Sequence, residues 1–321
     1  MSVSILGTGS ALPAREVTND DLSRLVDTGD EWITTRTGIR SRRVITTETL
    51  TELAVQAGRN ALRDAGTEAG ELDLILCSTI QGDYITPSLA SLVQRDLGAR
   101  CPAYDINAAC CGFLFGLDAA QAYLGSGKAR RVLLISAEQM SKHMDWADRS
   151  TCVLFGDGAA AAVLGAGEAL QYIRLESIGQ TESLRIPAPA RATPFAAISE
   201  TAETPVVHMN GQSVFKFAVS ACAEGVRRAL DTLGLTADDI GHFLLHQANG
   251  RILDAVRREM GQPEEKFPAN VSRTGNMSSA SLPCLLDDMN RAGRLERGER
   301  LMLSAFGAGL TTAACVLIWE K

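Results

Sequence analysis

Ala61-Leu62-Arg63-Asp64-Ala65-Gly66, leading to Leu72-Asp73-Leu74-Ile75-Leu76, returns as Ala229-Leu230-Asp231-Thr232-Leu233-Gly234, leading to Ile240-Gly241-His242-Phe243-Leu244, a shift of 168 residues. Farther along, Leu133-Leu134-Ile135-Ser136-Ala137 matches Leu301-Met302-Leu303-Ser304-Ala305 at the same shift of 168. Independent coincidences rarely share one shift, so the chain reads as an internal duplication. Each copy runs amphipathic helix, Gly turn, short apolar strand, helix, then a second Val/Leu/Ile-rich strand. That order packs helices on a buried mixed sheet and predicts an α/β chain of two similar halves, 1–165 and 166–321. Leu184 to Thr204, with Pro187, Pro189 and Pro194 among small residues, interrupts the repeat and predicts an exposed excursion. It is no linker between mobile halves, because the apolar sequence on both sides has to share a core.

The composition suits a folded chain: of 321 residues, 45% are hydrophobic and 21% charged. No apolar run reaches the ~18–20 residues of a membrane span. The opening Met1-Ser2-Val3-Ser4-Ile5-Leu6 lacks the cationic start of a secretory signal, so the cytosol is the expected location. A net charge of −7 argues against a nucleic-acid binder. An acidic partner needs a local basic patch instead, and Lys216 with Arg251 to Arg258 is the candidate, a solvated helix face being the alternative. The eight cysteines form no C-x-x-C pair and no grouping with His that suits a metal, so they read as reduced thiols, mostly small buried hydrophobes.

Several places are candidates for chemistry. Tyr104-Asp105-Ile106-Asn107 reads as a strand end, and Cys110-Cys111-Gly112 opens an apolar helix. Unpaired N–H groups and the positive dipole end at a helix start favour thiolate, so Cys110 is a candidate nucleophile, a buried helix cysteine being the alternative. His246 closes the apolar run Phe243-Leu244-Leu245, at the kind of strand end where ligands bind. It is an acid/base or hydrogen-bond candidate, or a capped core histidine. Asn276 lies in Ser272-Arg273-Thr274-Gly275-Asn276-Met277-Ser278, where the shift of 168 sets Ser278 opposite Cys110. It either satisfies backbone groups or donates into a site. Phe306-Gly307-Ala308-Gly309 is a small-residue turn whose N–H groups suit a ligand oxygen, with phosphate binding as the rival use. Gly7-Thr8-Gly9-Ser10 hints at a dinucleotide loop and a nucleotide-dependent oxidoreductase, but Leu12 and Pro13 make a weak fingerprint.

Ala109-Cys110-Cys111-Gly112-Phe113, His246-Gln247-Ala248-Asn249 and Gly275-Asn276 resemble the Cys, His and Asn motifs of β-ketoacyl-[acyl carrier protein] synthase III. Asp30-Glu31-Trp32-Ile33, Arg36-Thr37-Gly38-Ile39-Arg40 and Phe155-Gly156-Asp157-Gly158 extend the likeness over essentially the whole chain. The resemblance implies the thiolase-like five-layered αβαβα fold and a homodimer. It also implies ping-pong decarboxylative condensation of an acyl-CoA with malonyl-[acyl carrier protein], initiating fatty acid synthesis, with no permanent cofactor and no metal. Cys110, His246 and Asn276 would be catalytic, with the N–H groups of Cys110 and Ala308 as the oxyanion hole. Trp32, Arg36, Arg149, Asn210, Ala248 and Asn249 would bind CoA. Lys216, Gln247, Ala248, Asn249, Gly250, Arg251, Arg257 and Arg258 would meet the acyl carrier protein. Three positions depart from the family pattern: Cys111 stands where Ala or Ser is usual, Thr86 at an acyl-pocket position that is often Phe, and Thr312 at a frequent Trp. The smaller Thr86 and Thr312 side chains point to primers longer than acetyl, which leaves room for a relative that loads an unusual acyl group in secondary metabolism or biotin-precursor synthesis. A catalytically idle partner that only binds CoA or carrier protein is disfavoured by the intact three.

Overall fold

The apolar runs become the central strands of two sheets in the computed structural model, which describes residues 2–321. In chain order the first half holds β1 (Ser2–Ala11), β2 (Arg15–Thr18), α1 (Asn19–Leu22), α2 (Asp30–Thr37), β3 (Ser41–Val44), α3 (Leu50–Ala65) and β4 (Leu74–Ser78). It continues with α4 (Leu89–Leu97), β5 (Ala103–Ile106), α5 (Gly112–Gly125), β6 (Arg131–Gln139) and β7 (Asp157–Gly167). The second half holds β8 (Leu170–Gln180), β9 (Leu184–Arg185), β10 (His208–Met209), α6 (Gly211–Leu233), β11 (His242–Leu245) and α7 (Gly250–Met260). It ends with α8 (Val271–Thr274), α9 (Ser281–Arg291), β12 (Arg300–Gly307) and β13 (Gly309–Ile318).

One sheet runs β1-β7-β6-β4-β5 and the other β11-β12-β13-β8. The crossover pairs are parallel, β4 with both β5 and β6 in the first sheet and β11 with β12 in the second, and the remaining pairs are antiparallel. Strand alternation sorts the side chains into three cores. Leu74, Leu76, Val132 and Leu134 meet Leu244, Leu301 and Leu303 around α5 and α9, the layer shared by both sheets. The opposite faces, through Ile75, Leu133 and Ile135 on one sheet and Phe243, Met302 and Val316 on the other, carry α3 with α4 and α6 with α7. The result is five layers, helix–sheet–helix–sheet–helix, and no helix among the described residues is long and apolar enough to cross a membrane.

α3 starts on a Thr49/Glu52 capping box and ends on Gly66 at φ 59°, and α6 ends on Gly234 at φ 65°, left-handed caps that glycine adopts at little cost. These ends, and β4 against β11, keep the shift of 168. Beyond them the register differs from the sequence alignment. Leu74 pairs with Val132 while His242 pairs with Leu301, so the strand equivalence of β6 and β12 is 169, from 132 to 301. A slip of one residue exchanges the two faces of a strand, and only 169 puts Leu134 and Leu303 in the same central core.

Gly7 and Gly9 lie inside β1, where a Cβ would sit 2.4 Å from the Ala65 nitrogen and 2.3 Å from the Ala61 nitrogen of α3. They let helix and strand touch, and the nucleotide-loop reading falls. The excursion after β9 is exposed as expected, with Phe195 and Ile198 facing solvent, and it returns by pairing β9 with β10.

Candidate active site

The carboxyl ends of β4, β5, β6, β11 and β12 converge at one side of the two sheets, where α/β proteins place ligands. After β5, Asn107 accepts the Ala109 N–H (3.1 Å) and Ala109 takes φ 47°, then a single turn carries Cys110 into α5. The second half repeats this turn. Asn276 accepts the Ser278 N–H (2.8 Å), Ser278 takes φ 48°, and a single turn leads into α9. The match runs from 109 to 278, so Ser279, rather than Ser278, stands opposite Cys110.

Asn276 is fixed on three sides. Its N–H donates to Leu154 O (2.9 Å), its carbonyl accepts from Gly156 N–H (3.0 Å), and its side-chain oxygen is taken by Ser278. Its amide nitrogen is thereby left pointing outward as a donor. His246 follows β11, its N–H bonded to Ser304 O (2.8 Å) and its ring edge-on to Phe306 at 5.3 Å. The residue is 1% exposed, and neither ring nitrogen has a partner among the described residues. Burial pushes its pKa down to about 3, so the imidazole is neutral and offers one N–H and one lone pair. A capped core histidine would not leave both nitrogens unpaired.

Cys110 is half-buried, and desolvation pushes its thiol up to about 12 against the help of the Ser278 hydroxyl, with the Glu138 charge adding to the rise. Burial thus opposes the pull of the helix start on the thiol, and a thiol that keeps its proton has to give it up as the new bond forms. Gly307 at the end of β12 lies against this turn, since a Cβ there would be 2.9 Å from the Cys110 nitrogen and 3.3 Å from its Cβ. The close approach sets the Gly307-Ala308 turn against the backbone of Cys110. Gly307→Ala is expected to displace the turn and slow acylation of Cys110 about 10²-fold, read by single-turnover mass spectrometry, with folding retained.

Cys111 is fully buried and desolvation raises its thiol, so it packs and does not compete as a nucleophile. Glu138 carries no motif, whereas Gly307 lies in the small-residue turn 306–309. A charge closing the apolar run Leu133 to Ala137 was the available signal for Glu138.

At the mouth, Trp32 on α2 lies beneath two guanidinium groups, Arg36 at 4.6 Å and Arg149 at 5.1 Å, and Arg149 is held by the Asp27 carbonyl (2.8 Å). Asn249 caps α7 by accepting Arg251 N–H (2.9 Å) and donates to Arg36 O (3.3 Å), joining the two helices. Asn210 caps α6 through Ser213 N–H (3.0 Å), its amide nitrogen free to face outward. Arg251 lies 5.7 Å over Phe215, Lys216 is exposed on α6 and lines a cavity between α6, β8 and β13, and Arg257 is mostly covered and pairs with Asp254 (3.5 Å). Ala248 is 9% exposed, Gly250 packs on Thr37, and Arg258 faces solvent. Gln247 is a correction. It is fully buried, its amide spanning Leu245 O and the N–H groups of Asn270 and Val271, so no carrier protein can reach it. Thr86 is exposed, and Thr312 lines the same cavity between α6, β8 and β13, of about 410 Å³.

Residues 104–180 match the family model for 3-oxoacyl-[acyl-carrier-protein] synthase III and residues 230–319 match that family's C-terminal model. The β-ketoacyl-[acyl-carrier-protein] synthase III of a Synechococcus species is 45% identical over all of this chain and 97% of its own. The chain belongs to the β-ketoacyl-[acyl-carrier-protein] synthase III family. The family's solved structures share its thiolase-like fold: the Aquifex aeolicus 3-oxoacyl-[acyl-carrier-protein] synthase III is 40% identical, with a TM-score of 0.91 over 98% of this chain and 99% of that one. The priming β-ketosynthase of the R1128 polyketide pathway is 36% identical, with a TM-score of 0.92 over 100% of this chain and 97% of that one. As a synthase III the chain is a condensing acyltransferase of fatty acid biosynthesis.

Proposed function

We propose that the reaction is the decarboxylative condensation of an acyl-CoA primer with malonyl-[acyl carrier protein], carried by Cys110, His246 and Asn276. What supports it is a buried imidazole at His246 whose two ring nitrogens have no partner among the described residues, together with the Cys110 and Asn276 turns that repeat one another in the two halves. Cys110 attacks the acyl-CoA thioester, the Cys110 and Ala308 N–H groups hold the tetrahedral oxyanion, and CoA leaves. The malonyl thioester carbonyl then accepts from His246 and from the Asn276 amide as carbon dioxide departs. The enolate attacks the acyl-cysteine and releases a β-ketoacyl product. Decarboxylation makes the carbanion, so neutral donors suffice.

The Trp32 ring with Arg36 and Arg149 suits an adenine and its phosphates, and Asn210, Ala248 and Asn249 border the path inward. Arg251 and Lys216, with Arg257 and Arg258 behind them, suit the acidic face of a carrier protein despite a net charge of −7. Arg251→Glu or Lys216→Glu is expected to raise KM for malonyl-[acyl carrier protein] about tenfold, more at low salt, with acylation by acyl-CoA unchanged. Edge strand β5 is paired on one side only, and Tyr84, Ile85 and Thr86 lie exposed on the loop after β4. These features favour a homodimer in which that loop reaches the partner's acyl pocket. The halves 1–165 and 166–321 are read as products of duplication, and the location as cytoplasmic.

A second reading, priming of a secondary pathway with a longer acyl group, is favoured by the small side chains at Thr86 and Thr312. Both are tested by intact mass after incubation with a panel of acyl-CoAs, followed by malonyl-[acyl carrier protein]. Acylation by acetyl-CoA and discharge as a β-ketoacyl product supports the first reading. Acylation only by longer or branched primers supports the second, and acylation without discharge leaves a plain acyltransferase.

A further inference from the structure

Glu138 closes β6 as a carboxylate inside an apolar strand, 1% exposed. One oxygen accepts from the hydroxyls of Ser279 (2.6 Å) and Ser278 (3.1 Å), the other from Ile80 N–H (2.9 Å). No cation is among these partners. A buried carboxylate held by three neutral donors is retained at a cost, and that calls for a reason. The Ser278 hydroxyl that bonds Glu138 also faces the Cys110 thiol, so thiol, hydroxyl and carboxylate stand in sequence.

We infer that Glu138 is a positioning residue for the condensation that acts through Ser278: the Ser278 hydroxyl takes the Cys110 proton while passing its own proton to Glu138. The inference rests on Cys110 being the nucleophile. In the first half-reaction the Cys110 S–H bond breaks as the sulfur–acyl bond forms. The acyl–sulfur bond to CoA breaks, its electron pair leaves on the CoA sulfur, and that thiolate takes a proton from solvent. Glu138 is then neutral, so the pocket has lost its anion before the anionic malonyl group enters. In the second half-reaction carbon dioxide leaves, the carbon–carbon bond forms, and the sulfur–acyl bond breaks with its pair on Cys110. The proton returns through Ser278, and the negative charge that malonyl brought ends on Glu138. Burial pushes Glu138 up to about 7, which suits it to exchange a proton near neutrality, whereas His246, pushed down to about 3, is a poor acceptor. The titratable groups that face Glu138 are Cys110 and Lys142; the Lys142 ammonium also donates to Gln81 O and Gly82 O and faces Asp83 and Asp157.

The test is single-turnover acylation by acetyl-CoA, followed by intact mass across the pH range, for wild type, Glu138→Gln, Glu138→Asp, Ser278→Ala and Cys110→Ser. The wild-type rate is expected to fall along a one-proton limb below about pH 7. Glu138→Gln and Ser278→Ala lose the limb and run about 10²-fold slower above it, and Glu138→Asp restores the limb in part. A structural role alone would leave the limb in place, and Ser278→Ala gives the answer should Glu138→Gln not fold. The inference is overturned if Glu138→Gln or Ser278→Ala keeps the wild-type limb and a rate within about threefold. Acylation of Cys110→Ser at the wild-type rate overturns the nucleophile assignment beneath it, whereas an inert Cys110→Ser beside a wild-type Glu138→Gln overturns the relay alone.

Discussion

Cys110→Ser yields a folded chain that no longer gains the mass of an acyl group from acyl-CoA, a loss on the order of 10³-fold or more in transfer rate. A buried hydroxyl in the same place has neither the polarizability nor the acidity of the thiol. Cys111→Ser is the internal control, because Cys111 lies inside the helix packing and stays protonated. Its acylation stays within about threefold of wild type, and only the packing of one small buried side chain is disturbed. Acylation that follows Cys111 instead of Cys110 would sink the assignment.

His246→Ala and Asn276→Ala separate the two half-reactions. Each removes one donor from the enolate oxygen, and loss of one such donor costs about 10²–10³ in rate, about 2.7–4 kcal/mol. Carbon dioxide release from malonyl-[acyl carrier protein] should fall by that factor while Cys110 still acylates within about tenfold, so the acyl-enzyme accumulates. The wild-type decarboxylation step should show no limb from the imidazole from about pH 5 upward. Burial holds His246 neutral down to about 3, below its ordinary value, so over that range it keeps its donor. Decarboxylation that switches off as His246 would ordinarily protonate, near pH 6.5, would make the imidazole a base and not a neutral donor.

The layers were legible because buried strands read as apolar runs and the duplicate shares its caps, Gly66 and Gly234. Cys110 and His246 stood out as candidates because each follows a strand, and Asn276 because of the Gly275-Asn276 motif. The register of the second copy was not, since Leu133 to Ala137 and Leu301 to Ala305 are apolar on both faces and permit a slip of one residue. Nor were the neighbours of Cys110, since burial raises its thiol while the Ser278 hydroxyl and the Glu138 charge that act on it are far away in sequence. Gln247 misled for a related reason: it sits in a polar motif, yet its amide serves two backbone segments from inside.

The left-handed backbones of Ala109 and Ser278 carry a thermodynamic consequence. A non-glycine residue at φ near 47° or 48° costs of order 1–3 kcal/mol, and the fold accepts it twice, in two turns that face each other. Glycine at either position would relax the native chain but enlarge the freedom of the loop that aims the thiol or the amide. These two turns therefore hold backbone away from its relaxed state, and the large cores around α5 and α9 supply the rigidity that keeps it so. Selection for thermal stability alone would be expected to erode these two positions first, at the expense of turnover.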